Sequence, residues 1–350
     1  DQIKEKFKDT KFKIIDTGIK HGTLTLVLGQ LKVELTTLRK DVKTDGRHAE
    51  IEYTDDWQED SKRRDFTINA IYLDINGKIF DPQSGIEDLK NKKVKFIGDA
   101  EKRIKEDYLR IIRFIRFSLE YDNEIEPTSI QAIKLNLGGI KKISKERILK
   151  ELFKILVTKN FIKLNKNTNL KNIFLLIFPE FKNLERLNKL ETILYQINFD
   201  IKTLLAVLLV DKTNNHEYFS HKYNVSNDLR ENLNLVNINF VNFQTNKNFF
   251  LKDLKKNIYF FEKKHLTTLH VLNFLDNKKL KVKNFLDLLD NIKKLNIPKF
   301  SFDGNYLIKN GMKEGALMGK TLKIIESEWL NNNFEISIER VLEIIKTQNN

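Results

Sequence analysis

The sequence predicts an α+β chain in which a strand-bearing head precedes an all-helical remainder. Three observations carry this. Apolar and polar residues alternate with a period of two within residues 11–38. From Ala100 onward apolar residues recur every three or four positions. Only four prolines, at 82, 127, 179 and 298, occur in the 350 residues, so few helices are forced to break.

In chain order, Phe12-Lys-Ile-Ile15 is a first strand. Thr23-Leu-Thr-Leu-Val-Leu28 and Leu31-Lys-Val-Glu-Leu-Thr-Thr37 form a hairpin about Gly29-Gln30. Arg39–Asp60, with Asp45-Gly46 and the acidic run Asp55-Asp56-Trp-Gln-Glu-Asp60, fits neither period and reads as a mobile loop. The Asn76-Gly77 turn introduces a short strand at Lys78–Asp81, and Lys93–Ile97 is another. Residues 160–300 are rich in Asn, Lys, Leu and Phe but keep helical spacing, which makes them packed helices. The predicted divisions are a head over 1–97, a neck over 98–160 and a helical body and tail over 161–350.

Composition narrows the function classes. Hydrophobic residues at 41% and charged residues at 31% exclude a wholly disordered chain. With no cysteine, disulfides, thiolate metal sites and a Cys nucleophile are out. Lys+Arg 62 against Asp+Glu 48 gives +14, which favours a polyanionic partner such as nucleic acid; the plainer alternative is solubility. Apolar stretches such as Leu204–Val210 fall far short of the roughly 18 residues of a membrane span, so no membrane partner and a cytoplasmic residence are expected. His216/His221 and His265/His270 are five apart, off one helix face, and read as surface residues rather than ligands. Gly138-Gly139 reads as a helix end, and Phe249-Phe250 and Tyr259-Phe260-Phe261 as core.

Two polar clusters can carry chemistry. In Lys62-Arg63-Arg64-Asp65-Phe-Thr-Ile-Asn69-Ala70 the adjacent guanidiniums can grip phosphate oxygens, and Asp65 and Asn69, four apart, can reach a ribose hydroxyl. The plainer alternative is a capped helix with a surface ion pair. In Glu106-Asp107-Tyr-Leu-Arg110-Ile-Ile-Arg113-Phe-Ile-Arg116-Phe117, Asp107 and the three arginines recur every third residue, as a drifting stripe among apolar side chains. Asp107 beside Arg110 sets an acceptor next to donors. Cytosine and adenine match that pattern with an exocyclic amine beside a ring acceptor, whereas guanine and uracil present the reverse. The commoner fate of such a pair is an i,i+3 salt bridge. Lys141, Lys142, Lys145, Arg147 and Lys150 form a basic patch that suits RNA phosphates, or a solvated helix face.

In this order the motifs resemble the class II tRNA nucleotidyltransferase and poly(A) polymerase family, in particular its bacterial CCA-adding branch. The resemblance runs over Thr17-Gly18-Ile-Lys-His21-Gly22-Thr23, Glu34-Leu-Thr36-Thr37-Leu-Arg39, Arg63–Ala70, Asp81-Pro82 with Gly85-Ile-Glu-Asp88-Leu89, Gly98-Asp99 leading to Arg103, Glu106–Phe117, and Ile143-Ser-Lys-Glu146-Arg147-Ile148 with Glu151. A weaker echo returns at Asp303-Gly304, Gly311, Gly315, Gly319 and Trp329.

The resemblance implies a polymerase-β-like nucleotidyltransferase head, incomplete at its N-terminus, then a helical neck, body and tail. It implies that Arg63, Arg64, Asp65 and Asn69 hold the nucleotide's phosphates and ribose. Asp107 and Arg110 would pair with the base of CTP or ATP, with Arg113 and Arg116 as further contacts. It implies tRNA as the acceptor, and a mobile element at 39–60 linked to the switch from C to A. Mg²⁺ would be bound by an Asp-x-Asp strand expected just before Asp1, with Glu34 as a further acidic residue near the metal. Three readings stay open: CCA addition, poly(A) synthesis, and a catalytically incomplete fragment that binds nucleotide and RNA.

Overall fold

The computed structural model describes residues 2–18, 22–45, 48–122, 125–197 and 199–349; the side chains of 17, 18, 41–45 and 48–51 are outside the description. Ile19, Lys20 and His21 of the Thr17–Thr23 run and Gly46 of the Asp45-Gly46 pair therefore lie outside the described residues. The chain divides into two compact units, Asp1–Asn234 and Leu235–Asn350.

The first unit opens with α1 (Gln2–Phe7) and a three-stranded antiparallel sheet, β1 (Lys13–Gly18), β2 (Thr23–Leu28) and β3 (Leu31–Thr36), in the order β1-β2-β3. The predicted hairpin is there. Leu28 pairs with Leu31, and Gly29 takes φ +59°, the positive φ that a two-residue hairpin loop needs. Leu24 and Leu26 are buried, whereas Leu31 and Val33 stay exposed.

Residues 39–60 differ from the expected loop. Arg39–Asp45 (β4) pairs antiparallel with His48–Tyr53 (β5), and Trp57–Lys62 forms α2. Its strands, Arg39-Lys-Asp-Val-Lys-Thr-Asp45 and His48-Ala-Glu-Ile-Glu-Tyr53, are mostly polar in sequence, and Lys40 meets Glu52 across them at 2.8 Å, so hydrophobic alternation gave no sign of the hairpin. A second short ribbon joins β6 (Tyr72–Leu73) to β7 (Ile79–Phe80) across the Asn76-Gly77 turn. At 93–97, where a strand is expected from the sequence, the described residues form an isolated antiparallel bridge, Phe66 to Phe96, outside the named strands. Helix α3 (Gly85–Lys90) follows the ribbon.

Helices then take over: α4 (Ala100–Glu106), α5 (Leu109–Glu120), α6 (Pro127–Asn136), a 3-10 turn at Leu137–Lys142, α7 (Lys145–Leu156), α8 (Thr168–Ile177), α9 (Arg186–Leu190), α10 (Ile201–Leu209), α11 (Asn215–Tyr223) and α12 (Asn227–Thr245). Their starts are written in the sequence: Asp99, Asn167 and Asp200 cap the N–H groups of Lys102, Leu170 and Thr203, and Pro127 opens α6. The core beneath the head is aromatic. Phe66 lies 4.9 Å from Phe96 between ring centroids, and Phe96 stacks on Phe114 at 5.7 Å.

The second unit takes in α12 from Leu235 onward and holds α13 (Leu254–Asp276), α14 (Val282–Lys294), α15 (Gly304–Lys309), α16 (Ala316–Asn331) and α17 (Ile338–Asn349). Tyr259, Trp329 and Phe334 pack together, and Phe249 is buried, so these aromatics are core as expected; Phe260 is exposed. The histidines correct the sequence reading. His216, His265 and His270 are buried and only His221 of the four is exposed. Helical spacing puts His265 and His270 among Leu266, Leu269 and Leu272, where one ring nitrogen still finds a partner. Nε2 of His270 meets the Phe285 carbonyl at 2.9 Å and Nε2 of His265 meets Asn239 at 3.2 Å. Burial pushes both rings down to about 4, so they pack as neutral side chains.

Candidate functional site

The arginine pair is built by helix α2. Asp56 caps it by accepting the Gln58 N–H at 2.7 Å, and its last turn sets Asp60 three and four residues before Arg63 and Arg64, on one face. Asp60 is fully buried. It accepts from Nε of Arg63 at 2.7 Å, from Nε and Nη2 of Arg64 at 3.1 and 2.9 Å, from the Tyr72 hydroxyl at 2.8 Å, and from the Arg39 N–H at 3.1 Å. Burial alone would raise its pKa; the Tyr72, Arg39, Arg64 and Arg63 donors outweigh it and hold the carboxyl below its ordinary value. Arg63 also donates to the Arg39 carbonyl at 3.0 Å, so the base of the β4–β5 hairpin shares this knot.

Asp65 and Asn69 meet as their spacing predicts. The Asn69 amide donates to Asp65 at 2.8 Å, across the 3-10 turn Thr67–Asn69. The extended backbone of Phe66 drops its ring into the core, which fixes Asp65 at the surface of that core. Behind it, a Cβ on Gly85 would lie 2.2 Å from the Thr67 carbonyl, so only glycine lets α3 pack this close. Arg113 of α5 donates from Nε to Asp65 at 2.6 Å. Burial would raise the Asp65 pKa, but Arg113 prevails and keeps it low.

Asp107 does not share the arginine helix. It ends α4 with φ −152° and ψ 104°, and α5 begins at Leu109, so the stripe is a corner followed by Arg110, Arg113 and Arg116. Nor do Asp107 and Arg110 form the i,i+3 salt bridge. Asp107 accepts from Arg147 of α7 at 2.7 Å and from the Leu109 N–H at 3.1 Å. Arg110 donates from Nη1 to Glu106 and to the Arg103 carbonyl, each at 2.7 Å, and from Nη2 to the Arg63 carbonyl at 3.3 Å. Two of its five N–H groups have no partner among the described residues.

Arg116 has different polar partners. It pairs with the buried carboxylate of Glu151 and with Glu120, and its guanidinium lies 3.9 Å from the Phe117 ring centroid. Lys141, Lys142, Lys145 and Lys150 are exposed around the start of α7, with Lys142 Nζ 5.6 Å from the Tyr108 ring centroid. Arg147 is half-buried because it faces Asp107.

Glu34 is exposed on β3 opposite Thr25. Among the described residues no group of three or more carboxylate or imidazole side chains could hold a metal ion. The residues described do not by themselves form a Mg²⁺ site, and no step below runs through one.

Sequence reasoning missed Asp60, although its spacing to Arg63 and Arg64 is that of a helical i,i+3/i+4 pair. It also gave no role to Arg103. That guanidinium donates to the carbonyls of Arg63, at 2.6 Å, and of Arg64, and to Glu106. It fastens the first cluster to the second.

The first 95 residues match the poly A polymerase head domain, and residues 124–184 match the probable RNA and SrmB-binding site of polymerase A. The chain is 51% identical over 160 residues to the mitochondrial CCA tRNA nucleotidyltransferase 1 of Homo sapiens, a match spanning 45% of this chain and 37% of that protein. It is 32% identical to the Danio rerio enzyme of the same name over 360 residues, 98% of this chain and 79% of the relative. Among solved structures, the Bacillus stearothermophilus CCA-adding enzyme in complex with CTP shares the fold, with a TM-score of 0.69 at 23% identity, covering 96% of this chain and 84% of that one. A near full-length relative at this identity settles the family: the chain belongs to the CCA-adding tRNA nucleotidyltransferases.

Proposed function

We propose that this chain adds C and A, without a nucleic-acid template, from CTP and ATP to the 3′ ends of tRNA. The observation that carries the reading is the fusion of two clusters some forty residues apart into one surface. Arg103 and Arg110 grip the Arg63 carbonyl while Arg113 grips Asp65. Arg63 and Arg64, oriented through Asp60, present cationic edges to a triphosphate. Asp65 and Asn69 stand beside them for the ribose.

In this reading the base lies at the corner. The carboxylate of Asp107 accepts from the exocyclic amine of cytosine or adenine, and the remaining N–H groups of Arg110 donate to the ring nitrogen. Guanine and uracil would face acceptor with acceptor and donor with donor, at a cost of about 1–3 kcal/mol for the pair. Arg113 ties Asp65 to α5, and Arg116, paired with Glu151 and Glu120, ties α5 to α7. The exposed lysines 141, 142, 145 and 150 face the RNA phosphates, within the segment that matches an RNA-binding family.

Mg²⁺ belongs to the reading through the family; the side chains described here are proposed to serve nucleotide binding and selection. Cytoplasmic residence is likewise part of the proposal, and imaging a tagged chain separates it from the mitochondrial address in the relatives' names. Poly(A) synthesis is the rival in the same family.

The test supplies the chain with Mg²⁺, tRNA lacking its 3′ end, and each labelled nucleotide in turn. C and A incorporation that stops after the CCA end is expected. Comparable use of GTP or UTP would sink the base-selection reading, and unlimited A addition would favour poly(A) synthesis. Selective CTP and ATP binding without incorporation would leave the nucleotide- and RNA-binding reading.

A further inference from the structure

Helix α7 and the 3-10 turn before it meet the Asp107 corner. Arg147 of α7 pairs with Asp107, and Lys142 of the turn holds its Nζ 5.6 Å from the Tyr108 ring centroid. A further contact is steric. A Cβ built on Gly139 would lie 1.9 Å from Cε1 and 2.0 Å from Cδ1 of Tyr108, whereas one on Gly138 would meet nothing within 4 Å. Neither glycine has a positive φ, so the backbone does not call for glycine at either position. At 139 the requirement is space alone.

Tyr108 is the residue between Asp107 and the first residue of α5. The Asp107 carbonyl accepts the Arg110 N–H at 3.0 Å, and the Tyr108 carbonyl accepts the Ile111 N–H at 3.1 Å. These bonds make residues 107–111 one tight turn, so a shift of Tyr108 carries Asp107 and Arg110 with it. To admit a methyl group at 139, the ring would have to retreat from 1.9 Å to ordinary contact at 3.4 Å or beyond.

We propose that Gly139 is a positioning residue for base selection. Its missing side chain seats the Tyr108 ring, and the seated ring sets the Asp107–Arg110 corner. The inference rests on the reading that Asp107 and Arg110 select the base. A displaced corner forfeits part of the discrimination that a bidentate contact gives, so a loss of about tenfold in base preference is expected.

The experiment measures equilibrium binding of CTP and UTP, with Mg²⁺, to the full chain and to the variants Gly138→Ala, Gly139→Ala, Tyr108→Ala, Tyr108→Ala/Gly139→Ala and Asp107→Ala. Gly139→Ala is expected to lose about tenfold of the CTP-over-UTP preference with UTP binding held, while Gly138→Ala keeps it. In the Tyr108→Ala background the Gly139 substitution is expected to add nothing. A preference equal in Gly139→Ala and Gly138→Ala, or a loss of the same size with and without the Tyr108 ring, overturns the proposal. Should Gly139→Ala fail to fold, the double variant takes its place. Folding restored with the preference of Tyr108→Ala alone supports the contact, and an unfolded double variant overturns it. Asp107→Ala keeps the two levels apart. If it leaves the preference intact the base-selection reading itself falls; if it abolishes the preference and Gly139→Ala does not, only the role of Gly139 falls.

Discussion

Arg147 donates from Nη2 to Oδ2 of Asp107 at 2.7 Å, joining α7 to the corner between α4 and α5. One member of the basic patch is thereby directed inward, at the carboxylate proposed to read the base. Lys145 is exposed and makes no such ion pair among the described residues.

The two kinds of basic residue are expected to separate in binding experiments. Lys145→Ala should weaken tRNA binding for any 3′ sequence and lower the salt slope by about 1. Arg147→Ala should instead cost about tenfold in the CTP-over-UTP preference, because Asp107 loses its orienting partner. Nucleotide and tRNA titrations at several salt concentrations check both. An Arg147 variant that only shifts the salt slope would place it with the phosphate contacts.

Asp60 is the second focus. Replacing it by Ala would leave two guanidiniums and a tyrosine hydroxyl facing a hole where a buried carboxylate stood. Breaking one side of such a buried pair costs about 3–5 kcal/mol, which urea unfolding would show directly. Asp60→Asn keeps the shape and removes the charge. Burial, then the Asp60 carboxylate, push the Tyr72 hydroxyl up to about 12, so this variant should lower that value in a spectroscopic titration of the phenol. An unchanged Tyr72 titration would mean that the carboxylate does not govern the cluster.

Much of this was legible in the sequence because it depends on local spacing. The Leu28–Leu31 hairpin and the Asp65–Asn69 contact both follow from neighbours a few residues apart. Arg110 and Arg113 could be seen within a stripe, yet their partners, the Arg63 carbonyl and Asp65, are more than forty residues away and no period announces them, nor the grip of Arg103 on the same carbonyl. The β4–β5 hairpin hid for the opposite reason. Strands built on polar cross-strand pairs lack the hydrophobic alternation by which strands are found. The histidines misled because spacing was tested for metal geometry, whereas the apolar residues around His265 and His270 decided their fate.

Asp60 and Asp65 both titrate below the ordinary value of 3.8. A carboxyl whose pKa is depressed by folding stabilises the native state above its unfolded value, and that contribution is lost as pH falls through the folded one. Stability of the chain should thus hold from neutral pH down to the carboxylate range and then drop. Asp65→Asn should be less stable at neutral pH and show a shallower acid decline, since it no longer loses the Arg113 pair on protonation. Urea midpoints across that range test this. A decline as steep in Asp65→Asn as in the parent would mean that other groups carry the acid sensitivity.

Arg113 and Arg116 lie one helical turn apart but differ in what they can still do. Among the described residues Arg113 has one carboxylate partner, Asp65, and its side chain is 29% exposed. Arg116 is 14% exposed and is matched by two carboxylates, Glu151 and Glu120; both guanidiniums approach the Phe117 ring, Arg116 at 3.9 Å and Arg113 at 5.4 Å from its centroid. Lysine keeps the charge at either site but loses the forked geometry. Arg113→Lys is therefore expected to raise the dissociation constant for CTP about tenfold with a modest change in stability, because Asp65 keeps its Asn69 donor. Arg116→Lys is expected to do the reverse, leaving CTP binding within about twofold and lowering stability by roughly 1–3 kcal/mol as the buried Glu151 loses its fitted partner. Titration calorimetry beside thermal unfolding reads both variants. Equal losses of CTP affinity at the two positions would return Arg116 to the nucleotide-contacting set.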